Sequence, residues 1–208
     1  MCIRDRQNRH GYVVELGTWL GAATAWIAAG VRDSAVDRKA HVYDRFKWDD
    51  KNHTRKAGRR LTRNMLAEFR ANLGPLIEYV VPHKGEIAEL VWTEGNVSLI
   101  IFDAPKRAKV ISPVLIAFAD YVYCGTILVW QDFTHSSSYQ IPACISRLGD
   151  KLEFIDAVPG STAVFLVKQS WTPAEVSQEA LAPSRWTRDE IIAAWQRWLP
   201  LLPDEMAA

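Results

Sequence analysis

The sequence predicts a doubly wound α/β fold, and three features carry that prediction. Short apolar runs alternate with amphipathic helical stretches, the pattern of parallel strands joined by helical crossovers. A glycine-marked turn, Gly17 to Gly21, separates the first run from the first helical stretch. Two closely spaced apolar runs end the series, near enough to pair antiparallel.

Taken in order, Tyr12 to Leu16 reads as a strand with one carboxylate near its end, followed by an Ala-rich helix to about Val31. His41 to Tyr43 reads as a second strand ending at Asp44. A helix over about 59–73 then places Leu61, Met65, Leu66 and Phe69 on one face. Ile77 to Val81 reads as a third strand, closed by Pro82 and Lys84-Gly85-Glu86. Val97 to Phe102 is almost continuously apolar, as in a central parallel strand buried on both faces. A helix over about 108–123 leads to the strand Thr126 to Trp130, and a helix over about 139–148 follows. The strands 152–157 and 163–168 are joined by the turn Pro159-Gly160-Ser161. Beyond Pro183, a helix over about 188–198 spaces Ile191, Ile192, Trp195 and Trp198 for packing on the sheet or on a second subunit. The sum is seven strands, mostly parallel with an antiparallel terminal strand, in a three-layer α/β/α arrangement.

At 208 residues the chain suits one domain, and 49% hydrophobic with 24% charged residues is an ordinary globular balance. A net charge of +1 gives no sign of nucleic-acid binding, and the basic cluster between Arg45 and Arg63 reads as a solvated face. The three cysteines, Cys2, Cys124 and Cys144, are widely spaced and suggest neither a disulfide framework nor a zinc knuckle, so a reducing, cytoplasmic setting is expected. The apolar stretch Val110 to Trp130 is broken by Pro113, Asp120 and Cys124-Gly125, which makes it a buried helix and strand rather than a membrane span. Met1 to Arg6 resembles a translated sequencing-adapter remnant, and residues 1–10 are expected to be unstructured or artefactual. Residues 11–170 form the expected main domain and 171–208 a helical tail packed on it.

Ligands of open parallel sheets bind beyond the carboxyl ends of the strands. The residues there are Glu15, Asp44, Glu86, Asp103 and Asp132. Gly17 and Gly21 allow a tight turn and close approach of a ligand to the backbone. A carboxylate closing the second strand, Asp44, can accept both hydroxyls of a ribose. The spacing is Glu-x-Gly-x-x-x-Gly rather than G-x-G-x-x-G, so no pyrophosphate cradle is implied. Trp19, Trp48 and Trp130 lie near strand ends and are candidates for a pocket lining or for plain core.

Over Gly11 to about Lys168 the chain resembles the Rossmann-like class I S-adenosylmethionine-dependent methyltransferases, in particular small-molecule O-methyltransferases of the catechol and macrolide-sugar type. Glu15-Leu16-Gly17-Thr18-Trp19-Leu20-Gly21 is similar to their first motif, Tyr43-Asp44 to the ribose-binding strand end, and Gly85-Glu86 to the segment beside the adenine. The resemblance implies S-adenosylmethionine as cofactor, held by Glu15, Gly17, Thr18, Gly21, Asp44, Glu86 and Asp103. Asp103-Ala104-Pro105-Lys106 is similar to the Asp-x-x-Lys of catechol O-methyltransferases, which implies Lys106 as general base and Mg2+ at Asp103 and Asp132. At Gln131-Asp132-Phe133 one of the usual metal ligands is missing. His135 is a candidate second base, giving Lys106, Asp132 and His135 as the catalytic set. A small-molecule acceptor is the expected partner, with a homodimer admitted, and neither nucleic acid nor membrane is expected. The alternatives are a nicotinamide-dependent oxidoreductase of similar fold and a non-catalytic cofactor- or partner-binding domain.

Overall fold

A computed structural model describes residues 11–34, 37–48, 64–158, 161–182 and 186–202. The expectations for residues 1–10, for the basic stretch 49–63 and for the turn residues 159 and 160 lie outside it.

The sheet has seven strands: β1 Tyr12–Leu16, β2 Ala40–Asp44, β3 Val80–Lys84, β4 Val97–Phe102, β5 Ile127–Trp130, β6 Leu152–Val158 and β7 Thr162–Val167. Their order is β3-β2-β1-β4-β5-β7-β6. The first five strands pair in parallel, while β7 inserts between β5 and β6 and is antiparallel to both. This is the doubly wound, Rossmann-like arrangement expected from the sequence.

The helices divide between the two faces. On one lie α1, Ala22–Asp33, and α2, Met65–Leu73, whose Ala28, Met65, Phe69 and Leu73 pack with Val42 and Val80 of the sheet. On the other lie α3, Ala108–Ala117, and α4, Gln140–Ser146, packed with Leu16, Phe102, Trp130 and Phe165. A short helix α5, Gln178–Leu181, and a longer α6, Arg188–Trp198, follow the sheet. Thr187 and Glu190 close α6 with a reciprocal capping box. The indole of Trp198 donates to Ser146 Oγ at 2.7 Å and Pro142 O at 3.3 Å, which pins α6 against α4.

Two elements, β3 and α3, depart most from the sequence reading. The third strand starts three residues late, because Gly74-Pro75 turns the chain through a 3-10 helix over Gly74–Tyr79 that absorbs Ile77. Pro82 lies inside β3, opposite Val42, rather than closing it. An edge strand can carry a residue that lacks an N–H, and β3 is an edge. The helix expected over 108–123 ends at Ala117, so the apolar stretch 110–130 is a ten-residue helix, a turn and a strand. No helix among the described residues is long and apolar enough to cross a membrane. Cys144 is free and buried.

β4 departs from expectation in burial. The row Leu16, Phe102, Trp130, Ala163 faces α3 and α4, and its last three members are at most 1% exposed. The alternate row runs Val42, Glu15, Ile101, Val129, Val164 on the face that carries α1. There Ile101, Val129 and Val164 stay partly exposed, as do Val13, Leu99 and Leu166 of the next row. The strand is sealed on one face only.

Candidate active site

The polar ends of β1, β2, β4 and β5 meet at one edge of the sheet. Glu15, in β1, is 1% exposed. Its Oε2 accepts the Thr24 hydroxyl from α1, while Oε1 is buried with no hydrogen-bond partner. Burial, reinforced by the charges of Asp103 and Asp44, outweighs the Thr24 hydrogen bond and pushes its carboxyl up to about 7.

Beyond Glu15 the chain turns through Gly17 and Gly21, with φ of 98° and 88°. Gly17 is required by the fold itself. A Cβ there would stand 2.6 Å from Ala104 Cβ and 2.7 Å from Ala104 N. The close approach exists because Asp103 N and Ala104 N both donate to Leu16 O, at 2.9 and 2.8 Å, which lashes the end of β4 to the end of β1.

Asp44 closes β2 and fastens the turn from the other side. Its Oδ2 accepts Thr18 N at 3.0 Å and Trp19 N at 3.1 Å, and its Oδ1 accepts Phe46 N at 2.7 Å. The side-chain hydroxyl of Thr18 is buried without a partner. Glu86 lies past β3, exposed, with Arg45 Nη1 3.9 Å from its carboxylate. Gly85 N donates to Asp44 O, so the β3 end is tied to the β2 end.

Asp103, Lys106 and Asp132 come together. Lys106 Nζ is 3.3 Å from Asp103 Oδ1 and 2.7 Å from Asp132 Oδ2, and Ser161 Oγ donates to Asp132 Oδ1 at 3.3 Å. Burial raises Asp103, against the pull of Lys106. Burial also acts to raise Asp132, but Lys106, Ser161 and His135 together hold it below the usual carboxylate range. His135 is exposed and caps the turn Ser136–Ser138, its Nδ1 accepting Ser137 N at 3.2 Å. That bond leaves the ring proton on Nε2, so in this arrangement His135 has no free lone pair.

The arrangement fits a cationic organic ligand and does not fit magnesium. Glu15, Asp44, Asp103 and Asp132 gather at these strand ends, Lys106 pairs with Asp103 and Asp132 among them, and Glu15 retains a buried, unpartnered acceptor. Lys106 stands between the two carboxylates expected to hold the metal. Among the described residues no three His, Cys, Asp or Glu side chains gather as a metal site.

Sequence reasoning did not find Thr24, Ser161 or Phe46 as site residues, whereas Trp19 is among its pocket candidates. Among the described residues, Trp19, Phe46 and Asp132 are the non-glycine residues with positive φ, at 45°, 45° and 57°, and each adjoins a strand end of this cleft. Trp130 is core rather than pocket, fully buried and stacked on Phe102 at 3.8 Å.

Residues 14–133 match the profile of a family described as a methyltransferase domain, which takes in the first motif, the Asp44 strand end and the Asp103–Asp132 cluster. The chain belongs to the methyltransferase domain family. S-adenosylmethionine dependence follows from that membership, which decides against the nicotinamide oxidoreductase. No curated protein matches the chain. Among solved structures, the methyltransferase domain is similar to the O-methyltransferase NovP, at 18% identity over 78% of this chain and 74% of that one, with a TM-score of 0.62. CalS11, a TDP-rhamnose 3'-O-methyltransferase of calicheamicin biosynthesis, gives 17% identity over 78% and 73% with a TM-score of 0.60. An rRNA methylase from Streptococcus thermophilus gives 11% over 77% and 89% with a TM-score of 0.51. At these identities the likeness shows the fold.

Proposed function

We propose that this methyltransferase transfers the methyl group of S-adenosylmethionine to a hydroxyl oxygen of a small acceptor such as a sugar or polyketide. The observation that carries this reading is the Asp103–Lys106–Asp132 cluster at the ends of β4 and β5, a proton-handling group beside the cofactor cleft. The likeness to NovP and to CalS11 supports oxygen as the accepting atom. Residues 11–170 are the catalytic unit in this reading, with 171–208 as its tail.

S-adenosylmethionine, when bound, supplies an electrophilic methyl on a sulfonium sulfur. Glu15 Oε1 would hold the ammonium of its amino-acid end, a donor that the buried oxygen lacks among the described residues. Gly17, Thr18 and Gly21 keep the turn open to it. Asp44 spends three acceptor positions on backbone N–H groups, and a carboxylate with about four lone-pair sites keeps one for a ribose hydroxyl. Glu86 borders the adenine side, and Asp103 lies between the two halves of the cleft.

An acceptor hydroxyl must lose its proton as the new bond forms. Lys106 and Asp103 stand where that proton would be taken up, with burial raising the Asp103 carboxyl against the pull of Lys106. Asp132 keeps Lys106 in place, and Ser161 keeps Asp132 in place. No step requires magnesium. His135 becomes a base only if its bond to Ser137 N is released.

The test is methyl transfer from labelled S-adenosylmethionine to a panel of hydroxylated sugars and polyketides, with calorimetric cofactor binding beside it. Binding without transfer to any oxygen acceptor rejects the O-methyltransferase reading and favours a domain that binds without catalysis.

A further inference from the structure

Helix α3 begins at Ala108, just after Lys106, and its N-cap residue Arg107 provides no side-chain cap. Ala108 is buried, and a buried N–H needs an acceptor. That acceptor is Gln140 Oε1, at 2.9 Å, from the first residue of α4 and 32 positions away in sequence. Gln140 Nε2 donates to Tyr139 OH at 3.4 Å, which leaves the amide oxygen for α3.

The loops that follow β4 and β5 are thus joined twice. One link is the ion pair from Lys106 to Asp132, whose side chains are 26% and 36% exposed. A pair so open to water contributes little by itself and holds no geometry alone. The other link, Gln140 to Ala108 N, ties together two helices that are anchored in the core: Ile141 to Ile145 of α4 are all buried, as are Ala108 and Ile111 of α3. Between Asp132 and Gln140 the chain is held by its own turns, His135 N donating to Asp132 O at 3.2 Å and Ser138 N to His135 O at 2.7 Å. Phe133 is fully buried, and its N donates to Ser161 O at 2.7 Å. A shift of Gln140 against Ala108 therefore becomes a shift of Asp132 against Lys106.

We infer that Gln140 is a positioning residue, which sets Lys106 between Asp103 and Asp132 by fixing where α3 begins. In this role it touches neither cofactor nor acceptor. The catalytic weight of the placement rests on the proposed part of Lys106 in proton uptake, whereas the placement itself does not.

Burial acts to raise Asp132, and Lys106, Ser161 and His135 hold it low, so its carboxyl reports where the ammonium stands. Carboxyl NMR titration of the full chain, with isotope-labelled aspartate, reads this without any acceptor. Lys106→Met marks the midpoint expected when the cation is gone. In Gln140→Leu the Asp132 midpoint should rise toward that mark, and the same substitution added to Lys106→Met should move it no further. Gln140→Ser, which admits water to Ala108 N, gives the same reading if the leucine variant does not fold. With an acceptor methylated in the panel of sugars and polyketides, Gln140→Leu should lower kcat by about 10- to 10²-fold and leave the KM for S-adenosylmethionine unchanged. An unmoved Asp132 midpoint in a folded variant overturns the inference, as does normal kcat where Lys106→Met is slow. An equal further shift in the Lys106→Met background also overturns it, because Gln140 would then act on Asp132 by another route. If the midpoint moves as expected while Lys106→Met turns over normally, the positioning stands and the part of Lys106 in proton uptake falls.

Discussion

Lys106 Nζ lies 2.7 Å from Asp132 Oδ2, so a residue just past β4 is bound to a residue just past β5. Lys106→Met removes the cation between Asp132 and Asp103 without shortening the side chain much. The expected outcome is a fall in kcat of about 10²- to 10⁴-fold, the usual contribution of a positioned acid–base group, with cofactor affinity unchanged. Stopped assays and calorimetry on the same preparation check both parts, and near-normal turnover would remove Lys106 from the mechanism.

Asp44→Ala should weaken S-adenosylmethionine binding by about 1–3 kcal/mol, the loss of a charged acceptor to buried hydroxyls. It also frees Thr18 N and Trp19 N, so the melting temperature should fall in the absence of cofactor. Calorimetric affinity identical to that of the parent chain would defeat the ribose assignment.

Glu15 gives a pH dependence of known sign. The folded state holds its proton up to about 7, whereas the unfolded chain releases it near 4.5. The folded state thus binds more protons between these values, and this group's contribution to stability declines as pH rises through that window. Glu15→Gln should flatten the decline in urea titrations at pH 5 and pH 8. Cofactor affinity of the parent chain should rise over the same window, as the carboxylate forms, and that rise should vanish in Glu15→Gln.

His41 and His83 act in the opposite sense. His41 Nδ1 is 3.1 Å from His83 Nε2, and His83 stacks on Tyr43 with Tyr12 and Trp92 against His41. Burial lowers both histidines, with the charge of His83 adding to the effect on His41 and that of Glu94 opposing it. Because the unfolded chain takes up protons first, stability is full above about 6.5, the ordinary histidine value, and is lost as pH falls below it. His83→Asn should reduce that loss in melts between pH 7.5 and 5. An unchanged slope would show that the pair does not control it.

Gly17→Ala should lower the melting temperature sharply. Its φ of 98° and the 2.6 Å approach to Ala104 Cβ each oppose a side chain, and the cost should exceed about 1 kcal/mol. A stable variant that merely bound cofactor poorly would mean that the turn relaxes more easily than its packing implies.

Most of the fold was legible because strands such as Val97–Phe102 and Ile127–Trp130 are apolar runs that no surface helix would tolerate. The convergence of Asp103, Lys106 and Asp132 was legible for a related reason, since residues at strand ends share one edge of a parallel sheet. β3 was misplaced because Pro82 reads as a terminator until the strand is known to be an edge. The bonds from Thr18 and Trp19 to Asp44 span 26 and 25 residues and leave no local pattern. The half-open face of β4 was equally invisible, because a run that is apolar throughout looks the same whether its second cover comes from its own chain or from elsewhere.

The insertion of β7 between β5 and β6 imposes an order on biosynthesis. When the ribosome has made β6, the strand that must separate it from β5 does not yet exist, so the growing edge at Ile127–Trp130 stays unpaired until residue 167 has emerged. Either the 152–167 hairpin forms and docks as a unit, or β6 waits until β7 has paired with β5. Stalling translation within it would leave an apolar strand edge in search of any partner.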